Sequence, residues 1–341
     1  MKPRVGLLLG DPCGIGPELI AKLLAQEDLH ERAEILVMGD PPILQMGERI
    51  GGVSVPVQVV SDLKEADFTQ GKPVVFALQT IDPTEVKMGE ALAAAGRSVM
   101  EAFKLALQMA KSGGIDGICY GPLNKHAMHL AGCPYPGELQ FFAHELGHKG
   151  PVCEMNVLGR LWTSRVTSHI PLSRVSKLVT INGVLQAVLL AHRTLLSAGY
   201  DTPRIAVAAL NPHGGESGDC GTEEIEIIGP AVARAQAQGV AAEGPFPADT
   251  IFLKARDGLY DAVVTMYHDQ GQIAMKLMGF DRGVSVQGGL EIPIATPSHG
   301  TAFDIAGQGR ADVSATRQAF LLLCDMARTK AAAGTARAGK A

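Results

Sequence analysis

The sequence holds no C-x-x-C pair: its six cysteines, Cys13, Cys119, Cys133, Cys153, Cys220 and Cys324, are scattered singly along 341 residues. That scatter excludes a zinc ribbon, and a chain of this length does not call for a disulfide framework. Positive charge is not in surplus either. The 30 Lys and Arg against 35 Asp and Glu leave a net charge of -5, which argues against a nucleic-acid partner. No block of like charges marks an interaction arm. No stretch approaches the roughly 20 apolar residues that cross a bilayer. The apolar run at residues 5–9 follows a basic start but is only a strand's length and ends at Asp11 and Pro12, so it does not read as a secretion signal. The expectation is a cytoplasmic protein with no membrane partner. Internal repeats and Pro/Ser-rich linkers are also missing, so any two domains are expected to share strands or to cross over more than once.

What is present is an alternation. With 46% hydrophobic and 19% charged residues the chain is globular rather than disordered. RVGLLLG reads as a strand, and PELIAKLLAQ as a helix with Pro17 in its first turn. AEILVMGD, IDGICYGP, PRIAVAALNPHGGE and DAVVTMYHDQG repeat the apolar strand followed by a loop. A long helix spans GEALAAAGRSVMEAFKLALQMAKSG, stopped by Gly113 and Gly114, and IEIIGPAVARAQAQG reads as another. Strands alternating with helices imply α/β architecture with a largely parallel sheet, whose strand C-terminal ends carry the ligand sites. The tail TKAAAGTARAGKA is expected to fray.

Three histidines sit just beyond such strands: His169 in SRVTSHIPL, His213 in AALNPHGGE and His268 in VVTMYHDQG. Imidazole is the commonest transition-metal ligand, and three of them leave coordination positions open for substrate. The plainer alternative is three hydrogen-bonded loop histidines. In HGTAFDIAGQGRAD, small residues at Gly300, Ala302, Ala306, Gly307 and Gly309 allow close backbone approach to a flat ligand, or serve only tight turns. Neither this segment nor GDPCGIGPE is a G-x-G-x-x-G fingerprint. His144-Glu145-Leu146-Gly147-His148 matches H-E-x-x-H, the zinc-protease signature, but Lys149-Gly150-Pro151 ends any helix at once and the extended third ligand is missing. It reads as a helix end with exposed histidines, and a zinc metalloprotease is the remote alternative.

GDPCGIGPE, YGPLNK, TSHIPL, LNPHGGE, GTEEIE, GPFPADT, MYHDQG and HGTAFDIAG, in this order and at about this spacing, resemble the 4-hydroxythreonine-4-phosphate dehydrogenase family over nearly the whole chain. That family is similar in fold to the isocitrate and isopropylmalate dehydrogenases. The resemblance implies two α/β/α domains around a central cleft, with residues 1–125 plus 265–330 binding the dinucleotide, 126–264 binding metal and substrate and dimerising, and 331–341 a flexible tail. It implies His169, His213 and His268 as ligands of one divalent ion per site, His268 coming from the other subunit of a homodimer whose active sites lie at the interface. Zinc suits three imidazoles, with cobalt, nickel and manganese left open. Lys125 and Asp249 are implied near the reacting centre. His299, Gly300, Thr301, Ala302, Asp304 and Ala306 are implied to hold the adenosine end of NAD, NADP being left open. The reaction implied is hydride transfer from a hydroxyl beside a carboxylated carbon, then loss of carbon dioxide from the β-keto acid.

Departures from the family pattern bear on the small-molecule substrate. Members acting on the phosphorylated amino acid carry Gly-His-Thr-Glu where this chain has Gly137, Glu138, Leu139 and Gln140. Of a Lys, Asn and Arg phosphate clamp, Lys276 remains, but Ser285 and Ile294 stand at the other two positions. Losing a bidentate arginine removes the strongest phosphate contact. Leu139 and Ile294 suit a carbocyclic ring. The sequence therefore favours a non-phosphorylated hydroxy acid such as a terephthalate-type aromatic cis-dihydrodiol, with 4-hydroxythreonine-4-phosphate as the alternative.

Overall fold

The first strand illustrates how this sequence builds its layers. β1 (Arg4–Leu8) is an apolar run buried on both faces, as a central parallel strand must be. The chain then turns at Gly10, whose φ of 77° favours glycine and where an added Cβ would stand 2.5 Å from the Pro122 carbonyl. Pro17 sits in the first turn of α1 (Gly16–Leu24), where its missing N–H costs nothing. The computed structural model describes residues 2–279 and 282–338, which divide into two compact units, Met1–Lys149 with Leu290–Ala341, and Gly150–Gly289.

The first unit continues through α2 (Leu29–Arg32), β2 (Glu34–Gly39), α3 (Pro41–Gly51), β3 (Gln58–Val60), β4 (Val74–Ala77), α4 (Ala93–Lys111), β5 (Gly117–Tyr120), α5 (Lys125–Leu130) and α6 (Glu138–Leu146). Its sheet runs β3-β4-β2-β1-β5-β12, where β12 is Ile294–Pro297, with every pairing parallel. Phe103 of α4 anchors the core edge-on to Tyr120 and Phe142, at ring-centroid distances of 5.0 and 4.8 Å.

The second unit holds β6 (Cys153–Leu158), β7 (Leu161–Arg165), α7 (Val175–Leu178), α8 (Ile181–Ser197), β8 (Ile205–Ala208), α9 (Gly229–Gln236), β9 (Ala242–Phe246), α10 (Ala248–Arg256), β10 (Ala262–Thr265), α11 (His268–Gly279) and β11 (Val284–Gly288). Its strand order is β11-β6-β7-β10-β8-β9, antiparallel up to β7 and parallel beyond. β7, β10 and β8 therefore lie side by side and send their C-terminal ends to one edge. No single helix among the described residues is long and apolar enough to cross a membrane.

The α/β reading holds, and the boundaries move. They fall at 149/150 and 289/290, not at 125/126 and 264/265. Phe141 and Phe142 of α6 pack on Phe103, which keeps residues 126–149 with the first unit. β10 is paired on both sides within the second unit and β11 pairs with β6, which keeps 265–289 there. The last helix, α12 (Ser314–Ala338), runs through residues 331–338, consistent with the helix preference of alanine, while 339–341 lie outside the described residues.

Candidate active site

The three histidines lie where the strand order predicts, at the C-terminal edge of β7, β8 and β10. His169 follows β7 with φ 49° and His213 follows β8 with φ 52°, left-handed conformations that non-glycine residues adopt at a cost and that cluster at functional sites. His268 opens α11, and its ring centroid stands 5.5 Å from that of His169 in the same chain. Both line one concavity with Ser168, Tyr267 and Asp269.

Neighbouring carboxylates orient two of these rings. His268 Nδ1 pairs with Asp269 Oδ1 at 2.7 Å, and His213 Nδ1 with Glu216 Oε1 at 2.5 Å. A proton on Nδ1, held by the carboxylate, leaves Nε2 as the lone-pair donor, the arrangement in which imidazoles ligate metals. The Glu216 hydrogen bond raises the pKa of His213, with a smaller contribution from the charge of Asp249, which places that predicted residue in the neighbourhood of His213. The donor chemistry thus fits a divalent cation. The gathering within one chain stops at two: no group of three His, Cys, Asp or Glu able to hold an ion occurs among the described residues.

Glu224, which the sequence reading named only within a motif, organises the His213 loop. It is buried at the start of a π-helical turn, Glu224–Ile228. Its Oε1 accepts the backbone N–H groups of Leu210 and Asn211, both at 2.8 Å, and its Oε2 accepts from Asn211 Nδ2 at 3.0 Å. Despite its burial, these donors hold its pKa below the usual carboxylate range.

In the first unit, Lys125 opens α5 beyond the Asn124 cap, with Nζ 3.8 Å from Glu138 Oε2. Glu138 is buried and also accepts from the Tyr120 hydroxyl at 3.4 Å. Leu139 and Ile294 are 8% and 0% exposed, and Ile294 belongs to the apolar core around Phe103. Ile294 is a packing residue of that core and offers no surface to a ligand, which removes it from the expected apolar wall for a carbocyclic ring. In the second unit, Lys276 lies exposed on α11, while Ser285 is buried on β11 against Asn156.

The segment from His299 to Ala306 closes over the glycine loop after β1: Thr301 O accepts from Ile15 N–H at 3.1 Å, and Gly14 has no room for a Cβ beside Thr301. His299 Nε2 is buried without a hydrogen-bond partner, Gly300 faces open space, Ala302 has φ 43°, and Asp304 is exposed. Ala302 and Ala306 also pack against Ile15, Leu19 and Ala311. A buried imidazole Nε2 without a partner, an open glycine and an accessible acid fit the polar end of a nucleotide.

The protease alternative is overturned. α6 ends at Leu146 with Gly147 left-handed at φ 67°, so His148 lies beyond the helix and cannot share a face with His144. Changing Glu145 to Gln is expected to leave turnover within about twofold of the parent, since surface changes away from a site are nearly neutral. A Glu145→Gln variant with abolished turnover in a steady-state assay contradicts this assignment.

Comparison with known proteins gives the family. Residues 31–323 match the family model described as pyridoxal phosphate biosynthetic protein PdxA. A Pseudomonas aeruginosa protein named "Putative 4-hydroxythreonine-4-phosphate dehydrogenase 2" is 53% identical over 331 residues, 96% of this chain and 98% of that protein. The solved 4-hydroxythreonine-4-phosphate dehydrogenase from Klebsiella pneumoniae superimposes with a TM-score of 0.85 at 37% identity, covering 96% of this chain and 98% of that one. A terephthalate 1,2-cis-dihydrodiol dehydrogenase from Burkholderia xenovorans LB400 covers 95% of this chain and 98% of its own, but only at TM-score 0.67 and 27% identity. Fold and relatives define an oxidoreductase, a dehydrogenase acting on a CH–OH group. The chain belongs to the pyridoxal phosphate biosynthetic protein PdxA family. The dihydrodiol preference drawn from the sequence is thereby corrected in favour of its alternative.

Proposed function

We propose that this chain oxidises 4-hydroxythreonine-4-phosphate or a closely similar four-carbon hydroxy acid phosphate with NAD(P), and that the resulting β-keto acid loses carbon dioxide. The full-length likeness to proteins bearing that dehydrogenase name, in sequence and in structure, carries this reading. Ile294 does not count against a phosphate, because it is core and leaves no polar slot empty. The exposed ammonium of Lys276 is the charge retained from the expected clamp.

His169, His213 and His268 are the residues that would hold a divalent ion, with zinc suited to three imidazoles, and when bound such an ion lowers the pKa of a chelated hydroxyl and polarises the product carbonyl. The chain's own contributions are orientation and proton handling. Glu216 and Asp269 fix the ring tautomers. Lys125, beside Glu138, carries a proton at Nζ, and Asp249 offers a carboxylate near His213. The segment 299–306 receives the adenosine end of the dinucleotide, and the working form is a homodimer.

The test is NAD reduction, followed by absorbance, with zinc-loaded protein. 4-Hydroxythreonine-4-phosphate is expected to turn over within the usual range for dehydrogenases, roughly 1–1000 per second, and unphosphorylated hydroxy acids, aromatic cis-dihydrodiols included, far more slowly. Faster turnover of an unphosphorylated compound overturns the phosphate assignment.

A further inference from the structure

Arg165 ends β7 with a side chain only 5% exposed. Removing a guanidinium from water is expensive unless its donors are met, and a well-packed apolar residue often serves stability as well or better. The nearest carboxylate oxygen, Glu154 Oε1, is 3.8 Å from Nη2, beyond hydrogen-bond distance. Its close partners are neutral. Nε donates to Ser168 Oγ at 3.0 Å, and Nη1 donates to Asn156 Oδ1 at 3.0 Å. That same Asn156 oxygen accepts from Gln272 Nε2 at 2.6 Å, and Asn156 Nδ2 donates to Ser285 Oγ at 3.2 Å across the β6–β11 pair.

The two ends of this chain of hydrogen bonds matter. Ser168 precedes His169, whose left-handed φ of 49° needs support from its surroundings. Gln272 lies four residues, about one helical turn, after His268 on α11. One acceptor atom, Asn156 Oδ1, thus joins the loop bearing one imidazole to the helix bearing the other. We infer that Arg165 is a positioning residue: with Asn156 and Gln272 it forms a buried bridge that holds in place the loop presenting His169 and the helix presenting His268. This inference rests on the reading of those two histidines as metal ligands.

The bridge is tested by metal binding, with no substrate needed. Cobalt(II) is titrated into the full-length wild type, Arg165→Met, Gln272→Leu and the double variant, following the visible d–d spectrum, with circular dichroism melts as the folding control. Wild type is expected to bind, each single variant to bind about tenfold more weakly with an altered spectrum, and the double variant to resemble either single, because both act through one oxygen. Should Arg165→Met fail to fold, Gln272→Leu, on the half-buried face of a helix, carries the test alone. Folded variants that match wild type in affinity and spectrum overturn the bridge while leaving the proposed function standing. A folded wild type that binds no cobalt overturns both, since the bridge then has no site to set.

Discussion

Glu224→Ala is expected to destabilise the protein by roughly 3–5 kcal/mol and to lower kcat/KM by at least about 100-fold. The carboxylate is buried and takes three hydrogen bonds, all from Leu210 and Asn211, two residues ahead of His213. Alanine leaves two backbone N–H groups facing a void and frees a loop that carries left-handed residues at His213, Glu216 and Ser217. Glu224→Gln keeps one oxygen for the two N–H groups but turns an amide toward Asn211 Nδ2, so it should cost less than half as much. Urea unfolding and steady-state turnover measure the two effects. The pH sign follows from the lowered folded pKa of Glu224. The unfolded chain binds the proton more readily, so this contribution is present above the unfolded value near 4.5 and is lost as pH falls through the folded one. An Ala variant that loses stability but keeps its kcat/KM would show that the loop does not position His213 for chemistry.

Asp11→Asn should do the opposite and stabilise, by about 1–3 kcal/mol at pH 8. Asp11 is 1% exposed; its Oδ1 accepts the Cys13 N–H at 2.8 Å, and its Oδ2 is buried without a hydrogen-bond partner. Burial pushes its pKa from 3.8 up to about 6. The folded state therefore binds this proton more tightly than the unfolded state. Stability from this group is full below about pH 4, declines as pH rises toward 6, and is flat above. Asparagine keeps the Oδ1 acceptor and removes the buried charge, though its amide donors offset part of the gain. The stability difference between variant and parent, from melts at several pH values, should grow between pH 4 and 6 and then level off. A difference that stays flat across that window contradicts the assignment.

Much of this was legible in the sequence because it depends on local pattern. The apolar runs named β1, β2, β5, β8 and β10, Pro17 marked the start of α1, and the strand-then-histidine pattern put His169, His213 and His268 at one sheet edge. What stayed hidden depends on long-range contacts. Ile294 looks like a lost arginine in a string of letters, and only the packing around Phe103 shows it as core. Glu224 holds a segment 13 residues away through buried hydrogen bonds, and Arg165 reaches α11 only by way of Asn156, links that no periodicity reveals. The unit boundaries depended on aromatic packing between α4 and α6 and on the pairing of β11 with β6, and neither has a signature in composition.

The two units are unequal in continuity along the chain. Residues 150–289 are uninterrupted, whereas the first unit needs Leu290–Ala341 to complete it. During synthesis, the second unit can close its sheet while β12 and α12 are still missing from the first. The stretch that carries the three histidines and Asp249 is then complete before the 299–306 segment has been made. The 299–306 segment is made late, and the glycine turn after β1, made among the first, waits longest for the Thr301 carbonyl that meets it.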